Sequence, residues 1–255
     1  MRIDLLLVEK KLVASRTQAQ DLILAGFVFI KKNNINVQVL KSNLQVSDLE
    51  KDTVYIQKND IQKYVSRGGL KLEHALLKVK LSVDGMIVLD IGQSTGGFTD
   101  CLLQHQIKSV VGIDVGHGQI HESLKLNNKV TVLEGLHVKD LSSNEEFKKL
   151  VPKLGFDLLV IDVSFVSLTK VIPFVKEYLK LNGYYLFLVK PQFELSAKDL
   201  DHNGIVKKIK SHSLVQKRIQ EEARLQLGDI IDYFQAEITG KDGNQEHFIY
   251  GRKTI

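Results

Sequence analysis

The sequence predicts an α/β fold: a doubly wound, Rossmann-like sheet, mostly parallel with the last strand antiparallel, preceded by a small N-terminal α+β domain. Three observations predict it. From about residue 83, five near-continuous apolar runs alternate with helix-compatible segments, as parallel strands covered on both faces do. Two further strand-like runs, 229–238 and 246–253, are separated only by TGKDGNQ, too short for a crossover helix, so they pair as an antiparallel hairpin. Residues 1–80 hold 14 Lys+Arg against 8 Asp+Glu in a chain of net charge +5, so the remainder is almost neutral. The expected division is a basic domain over 1–60, a linker over 61–70 and an α/β domain over 71–255.

Taken in order, Ile3 to Leu12 has the apolar spacing of a short helix. Ser15 is followed three residues on by Gln18, a capping box, and Ala19, Leu22 and Ile23 then form one stripe. Gly26 falls where a helix C-cap glycine belongs. FVFIKK (27–32) and TVYIQK (53–58) read as short strands. Arg2, Lys10, Lys11, Arg16, Lys31 and Lys32 are spread over this unit, and the bridge NDIQKYVSRGGL (59–70) adds Lys63 and Arg67. These eight cations are the candidate contacts for a polyanion. The pair Gly68–Gly69 reads as a point where the bridge changes shape. Beyond it the strands are MIVLDIG (86–92), SVVGIDV (109–115), VTVLEG (130–135), FDLLVIDVSF (156–165) and YYLFLVK (184–190).

Composition excludes several classes. With one cysteine, Cys101, the chain has no internal disulfide and suits a reducing compartment. No apolar run approaches the ~18 residues of a spanning helix. MRIDLLLVEKKLVASR is interrupted by Glu9 and two lysines, a poor signal peptide. The expectation is a cytoplasmic protein with no membrane partner.

Two groups of residues carry chemistry. VLDIGQSTGGFTDCLLQ (88–104) is a strand, a glycine-rich turn and a helix starting near Gly96. Asp90, Gly92, Ser94, Thr95, Gly96, Gly97 and Phe98 are its candidate cofactor contacts, because such a turn lets backbone approach a ligand and the helix start favours its anionic end. Asp114, 22 residues after Gly92, ends the next strand, where a carboxylate accepts from both hydroxyls of a ribose. Ser94 stands where a dinucleotide site has its middle glycine, which favours a nucleoside without phosphates, such as S-adenosyl-L-methionine, over NAD. An NAD-dependent oxidoreductase is the competing reading. The second group lies at strand ends. Asp162 and Lys190 end two strands, Glu246 begins the antiparallel one at the same edge, and Lys71 precedes the helix LEHALLKV at the domain entrance. An ammonium closing an apolar run, as Lys190 does, is costly unless used. No metal is expected: His117 and His121 have helical pair spacing but no third ligand. Cys101 is read as packing. Phe165, Phe193 and Tyr64 either stack a base or serve a core or rim.

These stretches resemble a known family. MRIDLLLVEKKLVASRTQAQDLILAGFVFIKK resembles the alpha-L RNA-binding motif. YVSRGGLKLEHAL, LDIGQSTGGFTD, GIDVGHGQI, VIDVSFVSL, LVKPQFE and GNQEHF, in that order, are similar to the TlyA (hemolysin A) family. The resemblance implies an FtsJ-like catalytic domain using S-adenosyl-L-methionine to methylate a cytidine 2′-hydroxyl in ribosomal RNA, free or in a ribosomal subunit. It also implies a Lys-Asp-Lys-Glu tetrad at Lys71, Asp162, Lys190 and Glu246. His137 stands where the family more often has asparagine. The chain starts at the RNA-binding motif, which favours 23S over 16S RNA as substrate. No protein partner is inferable. In that chemistry Lys190 acts either neutral, as a base whose pKa burial and Lys71 must lower, or charged, stabilising the developing alkoxide. The family's older name adds membrane lysis as a rival, for which the sequence offers no strongly amphipathic cationic helix.

Overall fold

In the computed structural model the described residues are 1–13, 15–24, 26–32, 35–47, 51–57, 63–206, 208–240 and 242–255. The chain forms two compact units, Met1–Leu70 and Lys71–Ile255.

In the first unit, α1 (Ile3–Glu9) and α2 (Arg16–Leu24) pack beside a three-stranded antiparallel sheet of β1 (Val28–Lys32), β2 (Ile35–Gln38) and β3 (Val54–Ile56), ordered β2-β1-β3. One arm of the capping box forms, with Gln18 N donating to Ser15 Oγ at 3.2 Å. Gly26 ends α2 at φ +78°, and the amides of Gly26 and Phe27 return to the carbonyls of Ile23 and Leu22. Ile3, Leu6, Leu22, Ile23, Val28 and Ile30 close the core. β2 has no counterpart in the sequence reading, because all four of its residues are exposed and carry no burial pattern. Of TVYIQK, Val54–Ile56 is strand; Lys58 and residues 61–62 of the expected linker lie outside the described residues.

Residues 67–70 are not a loop: α3 runs from Arg67 to Val79 and includes both glycines. The reason is local packing. A Cβ on Gly69 would lie 2.4 Å from the ring of Tyr64, so the glycine admits an aromatic side chain against the helix start. Tyr64 is itself buried, which makes it a core residue, not a base-stacking one. Lys71 accordingly sits inside a helix.

The second unit is a seven-stranded sheet. In chain order it contains β4 (Ile87–Ile91), α4 (Gly97–Gln104), β5 (Ser109–Asp114), α5 (Glu122–Lys125), β6 (Val130–Glu134), α6 (Glu145–Leu150) and β7 (Phe156–Ile161). There follow α7 (Leu168–Val175), β8 (Leu179–Val189), α8 (Pro191–Glu194), α9 (Ile209–Gln226), β9 (Gly228–Gln235) and β10 (His247–Lys253). The strand order is β6-β5-β4-β7-β8-β10-β9, and β10 is antiparallel to both neighbours, as the short 239–245 connection requires. The chain winds outward from β4 through β5 to β6, then returns to the other side at β7. The crevice beyond the carboxyl ends of β4 and β7 is therefore the topological switch point, where open α/β sheets bind ligands. Leu89, Ile91, Leu159, Ile161, Phe187 and Ile249 fill the sheet's core, each almost fully buried. At roughly 1.5–3 kcal/mol for each such side chain, this core holds the strand ends in fixed positions.

Candidate active site

The turn leaving β4 is shaped by close approach. A Cβ on Gly92 (φ +80°) would lie 2.4 Å from the carbonyl oxygen of Asp162, so only glycine lets the ends of β4 and β7 converge. Ser94 takes a left-handed φ of +49° without being glycine. Its amide donates to Asp114 Oδ2 at 2.7 Å, and Gly116 N donates to Asp114 Oδ1 at 2.7 Å, so this carboxylate knits the turn to the end of β5. Behind the turn lies Asp90, fully buried. It accepts from Thr99 Oγ1 at 2.7 Å, and Thr99 in turn accepts from Gln93 Nε2. Burial pushes the Asp90 carboxyl up to about 7; Asp162 and Asp114 add to the rise, and the Thr99 hydroxyl opposes it.

In front of the turn is a cleft of about 650 Å³, within the usual size range for a small-molecule site. Of the candidate cofactor contacts, Gly92, Ser94 and Asp114 line it, together with Asp162. Thr95, Gly96 and Gly97 form the turn and the start of α4 and are not on its wall, and Asp90 lies behind it. Phe98 is buried and stacks on Phe248, with ring centroids 6.4 Å apart. The sequence reading missed the opposite wall: Leu136, Val138 and Lys139 after β6, and Val166, Lys170 and Phe174 at α7. The one signal there was His137. It takes the capping role an asparagine would play, its Nδ1 accepting from Lys139 N at 3.1 Å. His121 likewise caps α5 through Nδ1, accepting from Ser123 N at 3.3 Å.

The four strand-end residues assemble as two lysine–carboxylate pairs. Lys71 Nζ donates to Glu246 Oε2 at 2.6 Å, and both side chains are at least nine-tenths buried. Lys190 Nζ lies 2.5 Å from Asp162 Oδ1 and donates to Ser164 Oγ at 3.0 Å. His247 pairs with Val189 across β10 and β8, so Glu246 and Lys190 stand one step further along that register, at the same end of the sheet; of the four residues only Asp162 lines the cleft. A Cβ on Gly240 would lie 2.7 Å from Glu246 Oε1, so a glycine makes room for the carboxylate. Pro191 opens α8 directly after Lys190 and ends the strand. Glu194 closes that turn. Its buried carboxylate accepts from Ser167 Oγ at 2.5 Å and Leu168 N at 2.7 Å, and burial pushes its pKa up. Phe165 is 90% exposed at the cleft, its ring 4.9 Å from that of Phe193.

Comparison with known proteins decides the family. The FtsJ-like methyltransferase family matches residues 64–253. The chain belongs to that methyltransferase family. Over 98% of its length it is 37% identical to hemolysin A of Brachyspira hyodysenteriae, covering 100% of that protein. It is 34% identical to the 16S/23S rRNA (cytidine-2′-O)-methyltransferase TlyA of Mycobacterium tuberculosis, over 98% of this chain and 89% of the relative. It is 33% identical to the 23S rRNA (cytidine-2′-O)-methyltransferase TlyA of Campylobacter jejuni, over 98% of each.

In this methyltransferase the N-terminal cations fall into distinct settings. Arg2 and Arg16 both bind the buried Asp4, at 2.9 and 2.8 Å. Burial alone would raise the Asp4 carboxyl, but these guanidiniums outweigh it and hold the group down at about 2. Arg67 pairs with Asp21 at 3.7 Å, and Lys63 lies over the Tyr64 ring. Lys11, Lys31 and Lys32 are exposed and Lys10 is half-buried. Among the described residues no helix is long and apolar enough to cross a membrane.

Proposed function

We propose that this chain transfers a methyl group from S-adenosyl-L-methionine to the ribose 2′-hydroxyl of a cytidine in ribosomal RNA, with 23S RNA as the substrate and 16S RNA tested beside it, in the cytoplasm. The carrying observation is Asp162, the partner of Lys190, on the wall of a ligand-sized cleft that opens on the glycine turn.

The residues present fit the cofactor. Asp114 ends β5 at the cleft wall, and each of its oxygens keeps lone-pair capacity beyond the turn amide it already accepts. Leu136, Val138 and Phe174 give an apolar wall suited to a flat base. Asp162, on the cleft wall, would offer a carboxylate to the cofactor's sulfonium. When bound, S-adenosyl-L-methionine supplies a methyl already activated for attack. The protein's share is alignment and charge. Lys190, an ammonium held by Asp162, would donate to the acceptor oxygen and orient that oxygen for attack. The acceptor oxygen would gain the methyl, its proton would pass to solvent, and the demethylated cofactor would be released. Lys71 and Glu246 form the fixed wall beside Lys190. The exposed Lys31 and Lys32, at the end of β1, carry RNA phosphates.

Incubation of ribosomal RNA and subunits with the protein, followed by mass spectrometry of RNA fragments, should find one cytidine ribose gaining a methyl. Lys190→Ala should abolish transfer while calorimetry still shows S-adenosyl-L-methionine binding; transfer at the wild-type rate would sink the assignment. Lys31→Ala with Lys32→Ala should weaken RNA binding and lower its salt slope by roughly one to two.

A further inference from the structure

Lys190 has a second partner that the four-residue site leaves out. Its Nζ donates to Ser164 Oγ at 3.0 Å while lying 2.5 Å from Asp162 Oδ1. An ammonium carries three donors on a rotatable four-carbon stem. One partner fixes its distance but lets it swing. Two partners fix its direction.

The segment carrying Ser164 is anchored at both ends. Asp162 N donates to Ile91 O at 2.9 Å, tying its start to β4. At its far end Ser167 Oγ and Leu168 N both donate to the Glu194 carboxylate. Between them Phe165 holds a left-handed φ of +63° and packs on Phe193. Lys190, Phe193 and Glu194 are at i, i+3 and i+4 of one turn, so α8 and its cap meet the Ser164 segment at three successive points. The spacing between Ser164 and Lys190 is thus set by elements outside the pair.

Resting on the function proposed above, we infer that Ser164 is a positioning residue for Lys190: the Asp162 carboxylate holds the ammonium by charge, and the Ser164 hydroxyl, which accepts its hydrogen bond, sets its direction and leaves a donor for the acceptor oxygen. Ser164 lines the cleft, so its hydroxyl stands between the proposed cofactor site and the lysine. The role belongs to the hydroxyl, not to the side chain's volume.

The test compares Ser164→Ala, Ser164→Val and Ser164→Thr in the full chain, with turnover normalised to S-adenosyl-L-methionine sites titrated by calorimetry. Hydrogen bonds to charged groups predict about a tenfold or larger fall in kcat for the alanine and valine variants. The KM for RNA should stay within about twofold, because Ser164 acts through Lys190 and not on RNA binding, and normalising to titrated cofactor sites separates any change in cofactor affinity. Threonine restores a hydroxyl at valine's volume and should recover most of the turnover. Alanine at wild-type turnover, or threonine no better than valine, overturns the inference. Wild-type protein that transfers no methyl overturns the functional reading itself, so the two failures are distinct.

Discussion

Lys71–Glu246 and Lys190–Asp162 use the same residue types at one sheet edge, yet their surroundings differ. Lys71 and Glu246 have side chains only 9% and 3% exposed, and their partners are each other. Lys190 and Asp162 are 13% and 23% exposed, Asp162 lines the cleft, and Ser164 joins them. A sealed pair cannot receive a substrate without opening, whereas an open one needs only a ligand beside it. What separates them is strand order. β7 borders the glycine turn at the switch point, while β10 meets β8 on the far side and turns Glu246 toward α3. Burial, more than residue type, thus sets the pair proposed to act on substrate apart from the pair proposed as a fixed wall.

That division predicts opposite phenotypes. Asp162→Ala should cut methyl transfer roughly a hundredfold or more, since Lys190 loses its anchor, and cost less stability than loss of Glu246, because Asp162 is the more exposed carboxylate and faces the cleft. Glu246→Ala leaves a buried ammonium unpaired and should cost about 3–5 kcal/mol in urea unfolding. Replacing both partners, with Lys71→Met and Glu246→Leu, should recover much of that loss, because a sealed pair returns little beyond its own desolvation. If Asp162→Ala proved the more destabilising of the two, the contrast between wall and reactive pair would be wrong.

Much of this arrangement was legible in the sequence, for physical reasons that vary by element. β4 and β7 showed as IVLDI and FDLLVI because strands buried on both faces are near-continuously apolar, with Asp90 and Asp157 the exceptions. The strand-end rule brought Asp162, Lys190 and Glu246 to one edge, but not the choice of partners, which depends on the order β7-β8-β10. β8 begins at Leu179, five residues before the apolar run, because LKLNG is polar where it reaches the surface. Gly68–Gly69 suggested a hinge, and only the position of the Tyr64 ring shows that close packing demands Gly69. Glu194 carried a faint signal, four residues after Lys190. Its partners Ser167 and Leu168 come from another strand's exit, beyond local pattern.

Asp90 offers the most sensitive gauge of the same contrast. Its carboxyl is raised to about 7, first by burial and then, against the Thr99 hydrogen bond, by the charges of Asp162 and Asp114; Glu246 is not among the causes. An acid raised in the folded state contributes stability that is complete below its ordinary value of 3.8 and lost as pH rises through about 7. Asp162→Asn removes one repelling charge, so the Asp90 midpoint should fall below that of the wild type yet stay well above 3.8, because burial persists. The stability lost between about pH 5 and 8 should then shrink. Glu246→Gln should leave the midpoint where it is. Carboxyl carbon NMR titration of labelled aspartate reads the shift directly, and urea unfolding across the same range reads its linkage. His247, held down at about 4 by burial and His212, adds a slope of opposite sign, but a common one that cancels between variants. A midpoint unmoved by Asp162→Asn, or moved equally by Glu246→Gln, would mean that both pairs stand in the same electrostatic relation to the glycine turn.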